Sequence, residues 1–189
     1  MRFSAIAASV LATTALAAPL RKRAAGVTDA DILQYALTLE HLEATFYAEG
    51  LATYSAADFA AAGFGGSFYK NLQTIASDEK THVAYLTAGL TAAGAMPVAA
   101  CTYDFGVTSA KGFVATAKLL EGTGVSAYLG AAALISSPAY LTAAGSILTV
   151  EARHNSYISY VLGDSPFPQR MFCTLFTIPS NTSSIRHTA

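Results

Sequence analysis

Two short stretches decide the fold: Asp78-Glu79-Lys80-Thr81-His82 and Val150-Glu151-Ala152-Arg153-His154. Each places Glu-x-x-His inside a run with helical periodicity. Around the first, Phe68, Leu72, Ile75, Glu79, His82 and Leu86 recur at spacings of 4, 3, 4, 3 and 4. Around the second, Tyr140, Ala144, Ile147, Glu151, His154, Ile158 and Val161 recur at 4, 3, 4, 3, 4 and 3. Such spacings trace one face of an α-helix. A Glu and a His thus stand in the middle of each stripe, where a core calls for apolar side chains.

Outward from these stretches, helical periodicity predicts four long segments and little β-patterning. The first spans about 29–49, with Thr28 as N-cap and Gly50 as stop; the second spans about 67–93 and ends at Gly94. The third runs from about 111 to 135. The fourth runs from 138 to 162, opened by Ser137-Pro138 as N-cap and first-turn proline and closed by Gly163. The connections at 50–66 and 94–112 carry Gly, Ala and Pro, and after Gly163 come Pro166, Pro168 and Pro179. The expectation is an all-α four-helix bundle with a long crossover between its second and third helices.

The scarce charges give the bundle its chemistry. Charged residues are 12% of the chain, about half the ordinary share, so each placement carries information. The third segment aligns Val114, Ala117, Glu121, Val125 and Tyr128 on one face, and between Phe105 and Gly163 the only acids are Glu121 and Glu151. In the first segment the seam reads Ile32, Tyr35, Leu39, Leu42 and Phe46, flanked by Glu40 and Glu43; the wheel puts Glu43 nearer the seam, and either acid can reach the interior. A buried carboxylate without a partner costs several kcal/mol or protonates. No Lys or Arg lies on these seams, since Lys80 and Arg153 project elsewhere. Two divalent cations would balance four inward carboxylates and take the two imidazoles as nitrogen ligands. The i, i+3 spacing puts each Glu and His on one helix face. Donors rich in carboxylate and free of thiolate suit Fe or Mn.

The order Glu, Glu-x-x-His, Glu, Glu-x-x-His, one unit per helix, resembles the ferritin-like di-iron/di-manganese carboxylate superfamily. The strings Leu39-Glu40-His41-Leu42-Glu43-Ala44-Thr45-Phe46-Tyr47 and Asp78-Glu79-Lys80-Thr81-His82 resemble the fungal secreted ferritin-like proteins related to stress-response and plant desiccation-related proteins. The resemblance implies a metal set of Glu79 and Glu151 as bridging carboxylates, His82 and His154 as terminal nitrogen ligands, and Glu121 as a terminal carboxylate. It favours Glu40 for the remaining carboxylate, six and seven residues before Phe46-Tyr47, with Glu43 as second choice or supporting group. His41 and His187 read as solvent-facing or structural, and Tyr47, Tyr128 and Tyr157 most simply as core aromatics, the lesser alternative being a redox or hydrogen-bonding role for one of them near the metals.

The chain ends frame this domain. Met1-Arg2, an apolar run from Ser4 to Ala17, and Ala15-Leu16-Ala17 read as a signal peptide, followed by the basic Arg21-Lys22-Arg23 as a processing site. The expected division is 1–23 leader, 24–168 bundle and 169–189 irregular tail, with secretion to the extracellular space or cell wall. The uncharged stretch Val125–Val150 is broken by Gly130, Ser136-Ser137-Pro138 and Gly145, which predicts two buried helices in place of a membrane span. A formal net charge of −1 offers no basic surface for nucleic acid. Cys101 and Cys173 are compatible with one disulfide in an oxidising compartment, and Asn181-Thr182-Ser183 is a glycosylation sequon. Two functions follow as expectations. One is a secreted protein with two Fe or two Mn ions doing redox chemistry on O2 or H2O2. The alternative is a non-catalytic stress, desiccation or cell-wall protein with a structural or vestigial metal site.

Overall fold

A computed structural model describes residues 26–167. It contains α1 (Asp29–Thr53), α2 (Ala56–Ala61), α3 (Phe68–Ala92), α4 (Ala110–Ala132) and α5 (Pro138–Val161), with no strand among the described residues. The predicted leader and tail, with Cys173, Asn181 and His187, lie outside these residues.

The helix starts follow local side-chain chemistry. Thr28 Oγ1 accepts from the Asp31 amide at 3.2 Å while Asp31 Oδ2 accepts from the Thr28 amide at 2.7 Å, a reciprocal cap. Ser109 caps α4, and Ser137 caps α5 ahead of Pro138. Three features differ from the sequence expectation, the least of them that α4 ends at Ala132, three residues before the expected 135. Gly50 does not stop α1, which continues to Thr53. A Cβ at Gly50 would lie 2.0 Å from the Phe113 ring, so glycine here permits close packing between α1 and α4. The supposed loop at 50–66 contains α2, opened by a Ser55–Asp58 cap, and its fully buried Phe59 seals the end of the bundle against Phe68 and Phe113.

α1 packs along α3 and α4 along α5, giving two helical pairs that meet chiefly through α1 and α4. The crossover 93–109 runs down α1. Gln34 donates to the Met96 carbonyl at 2.6 Å and accepts from the Val98 amide at 2.9 Å, and His41 Nε2 meets the Val98 carbonyl at 3.0 Å. His41 is therefore a structural strap for the crossover. At the other end, Asp29 accepts from the amides of Ser136 and Ser137 and ties α1 to the α4–α5 turn. No helix among the described residues is long and apolar enough to cross a membrane.

The interior has three layers. An aromatic cluster with Phe46, Tyr47, Phe59, Phe68 and Phe113 fills one end, where Phe46 stacks on Phe113 with centroids 4.3 Å apart. An aliphatic cluster with Leu33, Leu37, Leu86, Leu90 and Ile147 fills the other. Between them lies a band of buried carboxylates and imidazoles.

Candidate metal centre

The band is built by one turn from each long helix. α3 buries Phe68, Leu72, Ile75, Glu79, His82 and Leu86, the whole predicted stripe. α5 buries Ile147, Glu151, His154 and Ile158, and α4 buries Val114, Ala117, Glu121 and Tyr128, with Gly124 inside in place of Val125. In α1 the predicted seam holds at its ends, where Ile32 and Phe46 are buried, and is displaced between them, where Leu39 and Leu42 are only half-buried. Tyr35 is 54% exposed, whereas Leu33, Ala36, Leu37, Glu40, Glu43 and Tyr47 point inward. α1 is apolar around most of its circumference, so periodicity alone offered two competing faces. Both Glu40 and Glu43 are buried.

Donor atoms converge in two groups, Glu40, Glu79, His82 and Glu151, and Glu79, Glu121, Glu151 and His154, each with ligand atoms within 4.8 Å of one another. Glu79 and Glu151 belong to both, and Glu43 to neither. His82 Nδ1 lies 3.2 Å from Glu40 Oε2, 3.3 Å from Glu79 Oε2 and 3.2 Å from Glu151 Oε1. His154 Nδ1 lies 2.9 Å from Glu79 Oε1 and 3.3 Å from Glu121 Oε2. Several of these close atoms nevertheless lack a hydrogen bond of acceptable geometry: Glu79 Oε1, Glu121 Oε2, both Glu151 oxygens and His154 Nδ1. Buried polar atoms are ordinarily satisfied. Neighbouring donors turned past one another toward common points are what a pair of cations would complete, so these residues fit the metals that the sequence pattern implies.

The surroundings hold the donors in place. Tyr47 on α1 donates to Glu121 Oε1 on α4, and Tyr128 on α4 donates to Glu40 Oε1 on α1. These two tyrosines are thus more than core aromatics; the missed signal is the same seven-residue step from Glu40 to Tyr47 and from Glu121 to Tyr128. Tyr157 accepts from Asn71 at 3.0 Å and packs on Phe68 away from the centre. Asp78 Oδ2 lies 3.2 Å from His154 Nε2 and sets that ring with Nδ1 inward. The motif residue before Glu79 thereby gains a role that spacing alone did not reveal.

The electrostatics without metal show how unbalanced the layer is. Burial, eased by the His82 hydrogen bond, raises Glu40 to about 7, and burial likewise raises Glu151 to about 8. Burial followed by repulsion from Glu151 drives Glu43 well above the carboxylate range, and burial raises Glu121. Burial opposes ionisation of Glu79 too, but the close imidazoles of His154 and His82 outweigh it and hold this group at about 2. Burial disfavours the imidazolium of His82, yet Glu151, Glu40 and Glu79 push it up to about 12; Glu121 and Glu79 bring His154 to about 10. In the metal-free chain, protons on the imidazoles and on the raised carboxylates stand in for cations.

No curated protein matches the chain. The family model for the ferritin-like domain matches residues 28–164, which takes in all four long helices and every residue of the two donor groups, and the chain belongs to the ferritin-like family.

Proposed function

We propose that this protein holds two Fe or two Mn ions between its helical pairs and acts on O2 or H2O2 outside the cell. Glu79 and Glu151 are the shared carboxylates, with Glu40 and His82 completing one position and Glu121 and His154 the other. The observation that carries this reading is the sharing of two fully buried carboxylates between two four-donor groups, in which Glu79 Oε1, Glu121 Oε2, both Glu151 oxygens and His154 Nδ1 are left without a hydrogen-bond partner. When bound, such a pair supplies redox equivalents and an electrophilic face to oxygen species. The chain's own residues prepare the place. Tyr47 and Tyr128 hold the two unshared carboxylates by donating to one oxygen of each, and Asp78 fixes the His154 ring. The aromatic and aliphatic clusters above and below keep water from the layer. The apolar leader at the N-terminus supports secretion.

The burial of Glu40, Glu79, Glu121 and Glu151, each with 0% exposure, also favours a second reading in which the metals act as an internal staple for a protective protein. Elemental analysis of gently purified chain tests both. About two Fe or Mn per chain are expected, and their absence refutes the dinuclear centre. Fe(II)/O2 and H2O2 assays on the loaded protein then separate the readings. Turnover supports the redox role, whereas inert protein whose melting point falls on chelation supports the staple.

A further inference from the structure

The dinuclear reading leaves one buried acid without a task. Glu43 is 3% exposed, faces the donor layer from α1 and leaves Oε2 without a hydrogen-bond partner. It stands one turn after Glu40. One turn after Glu121, the matching position on α4 is Gly124, an inward glycine in mid-helix. Glycine there costs about 1 kcal/mol against alanine, so its presence asks for a reason. The reason is space. A Cβ at Gly124 would lie 2.8 Å from Glu151 Oε2 and 3.3 Å from Glu43 Oε1. The missing side chain on α4 thus makes room for a carboxylate from α1 beside one oxygen of a shared ligand. Glu151 meanwhile turns its other oxygen, Oε1, toward His82. Glu43 Oε1 and Glu151 Oε2 flank one small volume, and no Lys or Arg is among the buried residues around it.

The geometry points to Glu43 as a seventh protein ligand of the centre, reaching the ion held by Glu151 Oε2 from the side that Gly124 leaves open. This assignment rests on the dinuclear reading and adds that the two metal positions are unequal: one has four protein ligands, the other five. The better-supplied position fills first and holds its ion more tightly.

Calorimetric titration of the chelator-stripped full chain with Mn(II) tests it, with thermal melts run in parallel. Wild type is expected to bind two ions in two distinguishable steps. Glu43→Gln should still bind two, with one step weakened roughly 10-fold or more and the other unchanged. Glu43→Asp, which keeps the charge but withdraws the carboxylate toward α1, should weaken the same step, and it decides the matter if Glu43→Gln does not fold. Both steps unchanged in Glu43→Gln would overturn the assignment while leaving the dinuclear centre standing. A lower melting point of metal-free Glu43→Gln with wild-type Mn(II) binding would make Glu43 a structural group and likewise overturn it. A wild-type chain that binds no Mn(II) removes the dinuclear reading and this inference with it.

Discussion

The pair α1–α3 and the pair α4–α5 are two renderings of one pattern. Glu40, Glu79, His82 and Tyr47 in the first correspond to Glu121, Glu151, His154 and Tyr128 in the second, and each tyrosine reaches across to the other pair's glutamate. Two positions break the correspondence: Glu43 faces Gly124, and Asp78 corresponds to Val150. The shared positions supply the two groups of donors that could hold metal ions. The broken ones add carboxylate to the first pair, so that Asp78 braces the histidine of the second pair while no Asp stands at 150 to do the same for His82. On the proposed reading, near-symmetry would make the layer dinuclear, and its local failures would distinguish the two ions.

The largest expected effect comes from removing the cations and letting the pairs repel. Metal-free protein should lose stability as pH rises from 5 to 9. Glu40 and Glu151, raised to about 7 and about 8, and His82 and His154, raised to about 12 and about 10, keep protons in the folded chain that the unfolded chain has already released. Folding then binds protons, so stability falls with increasing pH. The histidine contribution is complete below about 6.5 and fades toward 10 to 12; the Glu40 and Glu151 penalties grow from about 4.5 to their raised values. A fall in melting temperature of about 10 °C or more, abolished by Mn(II) or Fe(II), is expected from thermal melts. A flat profile would contradict the cation-completed layer.

Next comes the shared ligand. Glu79→Gln keeps the shape but removes a charge that both groups use, and should weaken binding of both ions more than ~100-fold, whereas His82→Ala should spare the position built on His154. Metal stoichiometry after gel filtration reads the difference. Gly50→Ala probes the seam between the pairs without touching the ligands. Its methyl would collide with Phe113, already stacked on Phe46, and should cost about 1–3 kcal/mol in chemical denaturation. The smallest effect sharpens the inequality. Asp78→Asn should weaken the His154 position ~10-fold, and adding Asp at 150 to that variant should not restore it, because the new carboxylate belongs to the other histidine.

Much of this was legible from periodicity. The α3 and α5 stripes needed no tertiary knowledge, because apolar residues on either side of Glu79-His82 and Glu151-His154 fix which face is inside. α1 was harder. With apolar residues around most of its surface, its seam was misplaced by about one residue, and Tyr35, counted as core, is exposed. The short α2 also escaped, although Ser55-x-x-Asp58 is a legible capping signal, because one helical turn and a half produces no hydrophobic period.

By itself, the sequence determined which residue types face inward on three of four helices and that their charges demand compensation, since helical spacing and the cost of burying carboxylates are local physics. Only the tertiary structure decided which oxygens meet which nitrogens, that Tyr47 and Tyr128 cross between pairs, and that Gly124 opens a space for Glu43. Those facts depend on how far apart and at what rotation the helices settle, and that is set by the packing of Phe113 against Gly50 and by the straps at Gln34, His41 and Asp29, which join residues remote in the chain.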